Sequence, residues 1–65
     1  MKVKYFIDTD TLYIRLNDRD SVETTELNEN ILLDIDKDGK AVGITIEHAM
    51  ERPGRLDFSY ETSAA

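Results

Sequence analysis

The chain has 65 residues and no cysteine, and 14 acidic against 8 basic residues give it a net charge of −6 at pH 7. This length fits a single domain over residues 1–65, which disulfides and thiolate metal sites cannot stabilise. The acidic balance argues against direct nucleic-acid binding, because a phosphate-binding surface carries the opposite charge. It suits a basic protein partner or a cation, and it also keeps an ordinary domain soluble.

The first part of the chain predicts a β-hairpin. Apolar residues alternate with polar ones from Lys2 to Ile7 and again from Leu12 to Leu16, which is the period of a β-strand. Between them, residues 8–11 read Asp-Thr-Asp-Thr, whose side chains bond to nearby backbone and favour a turn. Asp8 and Asp10 could instead be a catalytic carboxylate pair, but the neighbouring threonines fit a turn better.

A second pair of strands is predicted over Ile31–Ile46. Two runs with an apolar residue at every second position flank Asp38-Gly39, the dipeptide most typical of a hairpin turn. Before this hairpin, Val22–Leu27 combines residues that favour extended structure with glutamates that disfavour a central position, which predicts an edge strand. Strand alternation therefore accounts for most of residues 2–49, the predicted β core.

Residues 50–65 are predicted to be a C-terminal extension. Residues 47–52 tolerate a short helix before Pro53-Gly54 ends it, and Arg55–Glu61 alternates as a further strand or an extended arm would. The fold class is therefore mainly β, or β with one short helix: an antiparallel meander of four to five strands built from two hairpins. One apolar face of such a sheet needs a cover, which predicts a homodimer packed sheet against sheet with dimer contacts in the C-terminal arm at Leu56, Phe58 and Tyr60; a heteromeric partner would also cover this face.

Two segments carry a resemblance to a known family. These are DTDTLYIRL at residues 8–16 and DIDKDGKAVGITIE at residues 34–47, which resemble the two hairpins of domain-of-unknown-function family 2283. The chain departs from the family pattern at Thr45, where an acidic residue is common, and in the tail after Met50. The resemblance implies a small prokaryotic cytoplasmic protein without an established activity. Because members are often encoded near small toxin-like proteins, it also suggests an antitoxin-like partner of a basic protein.

The aspartates around the second turn offer a cation-binding alternative. Asp34, Asp36 and Asp38 alternate before Gly39, as in the first half of a helix-loop-helix calcium loop. The twelfth position of that loop, where a bidentate glutamate is required, is Thr45, and the flanking residues are strand-like. In a weaker version of this hypothesis, the two predicted turns lie together at one end of the sheet. One divalent cation would then be bound by Asp8, Asp10, Asp36 and Asp38.

Protein contact is the leading functional prediction. Tyr and Arg are typical of contact hot spots, and Tyr13 and Arg15 alternate on the more polar side of the sheet. The predicted partner-binding residues are Phe6, Tyr13, Arg15 and Leu32. For Arg15 itself, a cross-strand pair with Asp34 or Glu47 is favoured over a contact with a partner. The single histidine, His48, is predicted to make local hydrogen bonds.

No enzyme or membrane protein is predicted. A small hydrolase is the remaining hypothesis, because acid clusters occur in such enzymes, but no nucleophile, phosphate loop or metal-ligand constellation supports it, and no cofactor is predicted. No apolar run is long enough to span a bilayer and the N-terminus lacks a signal-peptide core, so a cytoplasmic location is expected. The chain is thus predicted to be a small acidic, non-enzymatic protein-binding module.

Overall fold

The computed structural model describes residues 1–51 and 59–64, and five β-strands occur in them. All neighbouring strands are antiparallel, and they form one sheet in the order β1-β2-β5-β4-β3. The strands are β1 (Lys2–Phe6), β2 (Thr11–Arg15), β3 (Glu23–Asn28), β4 (Ile31–Ile35) and β5 (Ala41–Glu47).

The predicted antiparallel sheet of four to five strands is confirmed, and β3 lies at an edge as expected. The chain forms the hairpin β1-β2, crosses to the opposite edge, and returns through β3 and β4 so that β5 lies in the centre against β2. The described residues contain no helix. The segment after β5 forms turns instead, because His48 adopts a left-handed backbone conformation with φ of 55° that a helix excludes.

The register assigns the paired strand residues to one of two faces, because directly paired residues of antiparallel strands project to the same side. We call one side the apolar face. Its paired residues are Val3, Tyr5, Leu12, Ile14, Glu23, Thr25, Asn28, Ile31, Leu33, Ile35, Ala41, Ile44 and Ile46. The other side is the polar face. It comprises Lys2, Lys4, Phe6, Thr11, Tyr13, Arg15, Thr24, Glu26, Leu32, Asp34, Gly43, Thr45 and Glu47.

The core of the sheet is small. Among the described residues the buried hydrophobic side chains are Leu12, Val42 and Ala49, and Val42 lies at a bulge where the β4–β5 register shifts. The isoleucines and leucines of β4 and β5 on the apolar face are only half-buried. On β1 the apolar face is exposed to solvent, since Val3 is 49% and Tyr5 41% exposed. No helix or second sheet formed by residues 1–51 and 59–64 packs against this face.

The predicted C-terminal contacts fall mostly beyond the described part of the chain. Leu56 and Phe58 lie outside it, as does most of the predicted strand over 55–61. Residues 59–64 are in neither strand nor helix, and Tyr60 is 85% exposed. A dimer contact at these three residues therefore stays a prediction.

Candidate protein-contact face and the acidic turns

The four predicted partner-binding residues share the polar face. Tyr13 and Leu32 lie in one row across the sheet, on either side of Thr45. Arg15 lies in the next row, and Phe6 is on the edge strand β1 with 46% of its side chain exposed. The register thus brings together residues that are up to 26 positions apart in sequence. Period-two alternation was sufficient to predict their common side.

Tyr13 is fixed in the middle of this face by a glycine and a carboxylate. Its hydroxyl donates to Asp34 Oδ2 at 3.4 Å, and Thr24 Oγ1 donates to Asp34 Oδ1 at 2.8 Å. The ring lies over Gly43, where an added Cβ would come within 2.5 Å of the tyrosine hydroxyl. Gly43 therefore makes room for the ring. Sequence reasoning missed this role, for which the only signal was a glycine inside an otherwise regular strand.

The predicted cross-strand pair of Arg15 with Asp34 or Glu47 is wrong. The Arg15 guanidinium donates instead to two backbone carbonyls of the loop after β2, those of Asn17 at 2.8 Å and Arg19 at 2.6 Å. Asp34 already accepts from two hydroxyl groups. Glu47 pairs with the first residue of β2, whereas Arg15 is the last residue of that strand. Arg15 therefore shapes the loop as well as the polar face.

Charge on the polar face is divided between its two halves. The basic side chains, Lys2, Lys4 and Arg15, are on β1 and β2, and Lys4 Nζ lies 5.7 Å from the centre of the Phe6 ring. The acidic side chains are on the other three strands. They are Glu26, Asp34 and Glu47. Six of the seven charged strand residues lie on this face, and the exception is Glu23 at the edge of the sheet.

Asp36 organises the turn between β4 and β5. Its side chain is 4% exposed, and Oδ1 accepts from the amides of Lys40 at 3.0 Å and Asp38 at 2.8 Å. Oδ2 lies 3.2 Å from Nε of Arg19, which ties the loop after β2 to this turn. The Lys40 amide is the main reason that the pKa of Asp36 is lowered from its usual 3.8, and it outweighs burial, which raises the pKa.

Asp10 has a similar role at the opposite end of the sheet. It adopts a left-handed conformation with φ of 53°, and its carboxylate accepts from the Tyr5 hydroxyl at 2.6 Å and the Met50 and Glu51 amides at 3.0 and 3.2 Å. Its carbonyl accepts from the Ala49 amide. The Tyr5 hydrogen bond is the main cause that lowers the pKa of Asp10. The described contacts thus give Asp10 the turn role that the threonines indicated.

The two acidic turns do not meet. Thr11 pairs with Glu47, so the turn that contains Asp10 lies at the end of the sheet where β5 finishes. The turn that contains Asp36 precedes β5 and lies at the other end. The hypothesis that the two turns stack around one ion is therefore wrong. Its premise fails because β2 pairs with β5 in the antiparallel sense.

The three aspartates of the cation alternative have separate surroundings. Asp34 projects from the polar face toward Tyr13, whereas Asp36 binds turn amides. Asp38 is half exposed, 3.4 Å from Nη2 of Arg19. Within residues 1–51 and 59–64, no group of three or more histidine or acidic side chains is placed to hold a metal ion. His48 contacts Glu51 at 2.9 Å and is exposed, which fits a local hydrogen-bonding role.

Comparison with known proteins identifies a family. A family model described as a protein of unknown function (DUF2283) matches residues 2–49, most of the chain and the whole of the five-stranded sheet. The chain belongs to the DUF2283 family. No curated protein and no solved structure matches this DUF2283 chain. In its described residues, no helix has the length and apolar character needed to cross a membrane.

Proposed function

We propose that this DUF2283 chain is a non-enzymatic protein-binding module that works as a cytoplasmic homodimer and contacts a basic, toxin-like partner through its polar face. The observation that carries the proposal is the grouping of Phe6, Tyr13, Arg15 and Leu32 on one open face, beside separate basic and acidic halves. Aromatic and arginine side chains at the centre of a contact supply most of the binding energy in protein interfaces.

The acidic half of the polar face supports a basic partner. Glu26 directly follows Leu32 in its row across the sheet, and Asp34 is two residues further along β4 on the same side. An apolar side chain flanked by carboxylates suits a contact in which lysine or arginine surrounds an apolar centre. The net charge of −6 would also accelerate encounter with a basic protein at low ionic strength.

The proposal is tested with the tagged chain, recovered gently from its own cells and weighed by native mass spectrometry. We expect a mass above a multiple of 7.5 kDa by the weight of a second, basic chain. With that partner purified, Tyr13→Ala with Arg15→Ala should weaken binding by at least about thirtyfold, the loss expected from about 2 kcal/mol at a hot spot. Unchanged affinity in a folded double variant would refute the face assignment.

Charge reversal supplies a matched control. Glu23 and Glu26 are on the same edge strand and both are exposed, but the register places them on opposite faces. We expect Glu26→Lys to weaken binding of the basic partner about tenfold and Glu23→Lys to leave it unchanged. Equal losses in both variants would point to net charge alone and contradict a specific contact on the polar face.

A further inference from the structure

We propose that a second copy of this chain packs on the apolar face, sheet against sheet, with the two β5 strands facing each other across a two-fold axis. This inference rests on the homodimer of the proposed function, and it assigns the dimer contact to the strands. The starting point is that no helix or second sheet formed by residues 1–51 and 59–64 covers the apolar face: Ile14, Leu33 and Ile44 form one row across it and are all only half-buried.

The strand order makes this face self-complementary. Because β5 is central, a rotation of 180° about an axis along β5 places β1 of one copy over β3 of the other and β2 over β4. In one row, Ile14 then meets Leu33, Ile44 meets its own copy, and Val3 meets Thr25. Aligned packing of two sheets keeps their strands within about 30° of one another, so this correspondence survives the twist of the sheets.

The second row on this face has the same property. By the same rotation Ile46 meets its own copy and Tyr5 lies over Asn28 at the edge, whereas Leu12, opposite Ile31, is already buried within the single chain and adds no exposed surface. Aliphatic side chains thus face one another along the centre of the contact, while hydroxyl and amide groups lie at both rims. An apolar centre with a polar rim is the usual composition of a stable protein interface.

The distribution of charge identifies the occupant as a second copy. Glu23 is the single charged strand residue on the apolar face, so a basic partner would gain little there. Two copies that each carry a charge of −6 would repel if their acidic groups met. Sheets stacked about 10 Å apart place the two polar faces outward at roughly 20 Å, beyond the Debye length of about 8 Å.

Two adjacent leucines provide a test with an internal control. Leu32 and Leu33 are neighbours on β4, both half-buried, and project to opposite faces. In sedimentation and native mass measurements on the purified full chain, we expect twice the 7.5 kDa chain mass for the unchanged protein and for Leu32→Lys. Leu33→Lys should have the single-chain mass while keeping its β circular dichroism. The proposal would be overturned if the unchanged protein were monomeric. It would also be overturned if Leu32→Lys lost the dimer while Leu33→Lys kept it.

A milder pair of variants covers the case in which Leu33→Lys does not fold. The chain has no cysteine, so a single introduced thiol is the only reactive one. Ile44→Cys places that thiol next to its own copy on the axis, whereas Thr45→Cys places it on the outer face. With a short bifunctional thiol reagent, cross-linked dimer from Ile44→Cys alone supports the arrangement. Cross-linking from Thr45→Cys alone, equal yields, or none from either would contradict it.

Partner binding and dimerisation have separate readouts in these experiments. Recovery of a basic partner reports on the polar face and depends on Leu32, whereas the mass of the purified chain depends on Leu33. A dimer that binds no basic partner would refute the proposed function and leave the two-fold contact intact. A monomer that still binds its partner through the polar face would refute the contact alone.

Discussion

Gly43 shows how a missing side chain can determine the position of a neighbour. The ring of Tyr13 occupies the space above it, and from there the hydroxyl reaches Asp34. A glycine in a strand ordinarily costs stability, because its backbone loses more conformational freedom on folding than that of any other residue. At position 43 a larger residue would avoid this entropic cost, but its Cβ would displace the Tyr13 ring.

We expect Gly43→Ala to lower the free energy of unfolding by about 1–3 kcal/mol, the cost of forcing atoms into an occupied space. If the Tyr13 ring did not lie against Gly43, the substitution Gly43→Ala would be neutral or stabilising. In a Tyr13→Ala background the penalty should therefore disappear. Urea unfolding of the two single variants and the double variant measures this coupling. The same penalty in both backgrounds would show that the ring is not its cause.

At the scale of elements, one buried carboxylate joins the β4–β5 turn to the loop after β2. Asp36 accepts the Asp38 and Lys40 amides and lies beside Arg19 of that loop. The hairpin itself was predictable, since alternation and Asp38-Gly39 are local signals, and Gly39 has the positive φ of 79° that the turn requires. The ion pair with Arg19 was not predictable, because nothing local in sequence relates the two segments.

Stability should fall in acid through Asp36. Its pKa in the folded protein lies below the usual 3.8, so the stabilisation is complete above that value and is lost as pH falls through the folded pKa. We expect Asp36→Asn to be less stable at pH 7 and to lose less stability between about pH 5 and pH 3 than the unchanged protein. Urea unfolding at pH 7 and at several values between about pH 5 and pH 3 checks both expectations. Parallel pH curves for the two proteins would contradict the assignment.

Other contacts between elements could not be predicted from the sequence either. Asp10 was recognisable as a turn residue, but its bonds to the Met50 and Glu51 amides connect positions forty residues apart. Likewise, alternation placed Arg15 on the correct side, yet its partners are loop carbonyls and not the carboxylates that the spacing favoured. The alternation of apolar and polar residues and the turn residues therefore predicted the strands and their faces. The contacts of Asp10 and Arg15 at the ends of the sheet depend on the strand order, which the sequence did not predict.

For the whole molecule, a single sheet with one half-exposed apolar face is a marginal fold. Beyond Leu12, Val42 and Ala49, the hydrophobic side chains that the structure describes keep some contact with solvent. Chains of this length bury a smaller fraction of their surface than larger domains do, and they often gain further burial by association. Stability and assembly of this protein should therefore be coupled.

We expect the melting temperature to rise with protein concentration, because a second copy binds the folded state and not the unfolded one. Scanning calorimetry at two concentrations about a hundredfold apart measures the shift, and Leu33→Lys should remove it. A melting temperature that is independent of concentration in the unchanged protein would show that the chain is stable alone. Leu32→Lys, on the opposite face, serves as the control that keeps the dependence.

The central place of β5 also has a consequence for the kinetics of folding. The hairpin β1-β2 and the run β3-β4-β5 each pair strands that are close in sequence, and such contacts form quickly. The β2-β5 ladder, in which Arg15 pairs with Gly43 and Thr11 with Glu47, closes a much longer loop. Because pairing between distant segments slows folding, we expect formation of the β2-β5 ladder to limit the folding rate. The complete sheet therefore forms only after all of β5 has been synthesised.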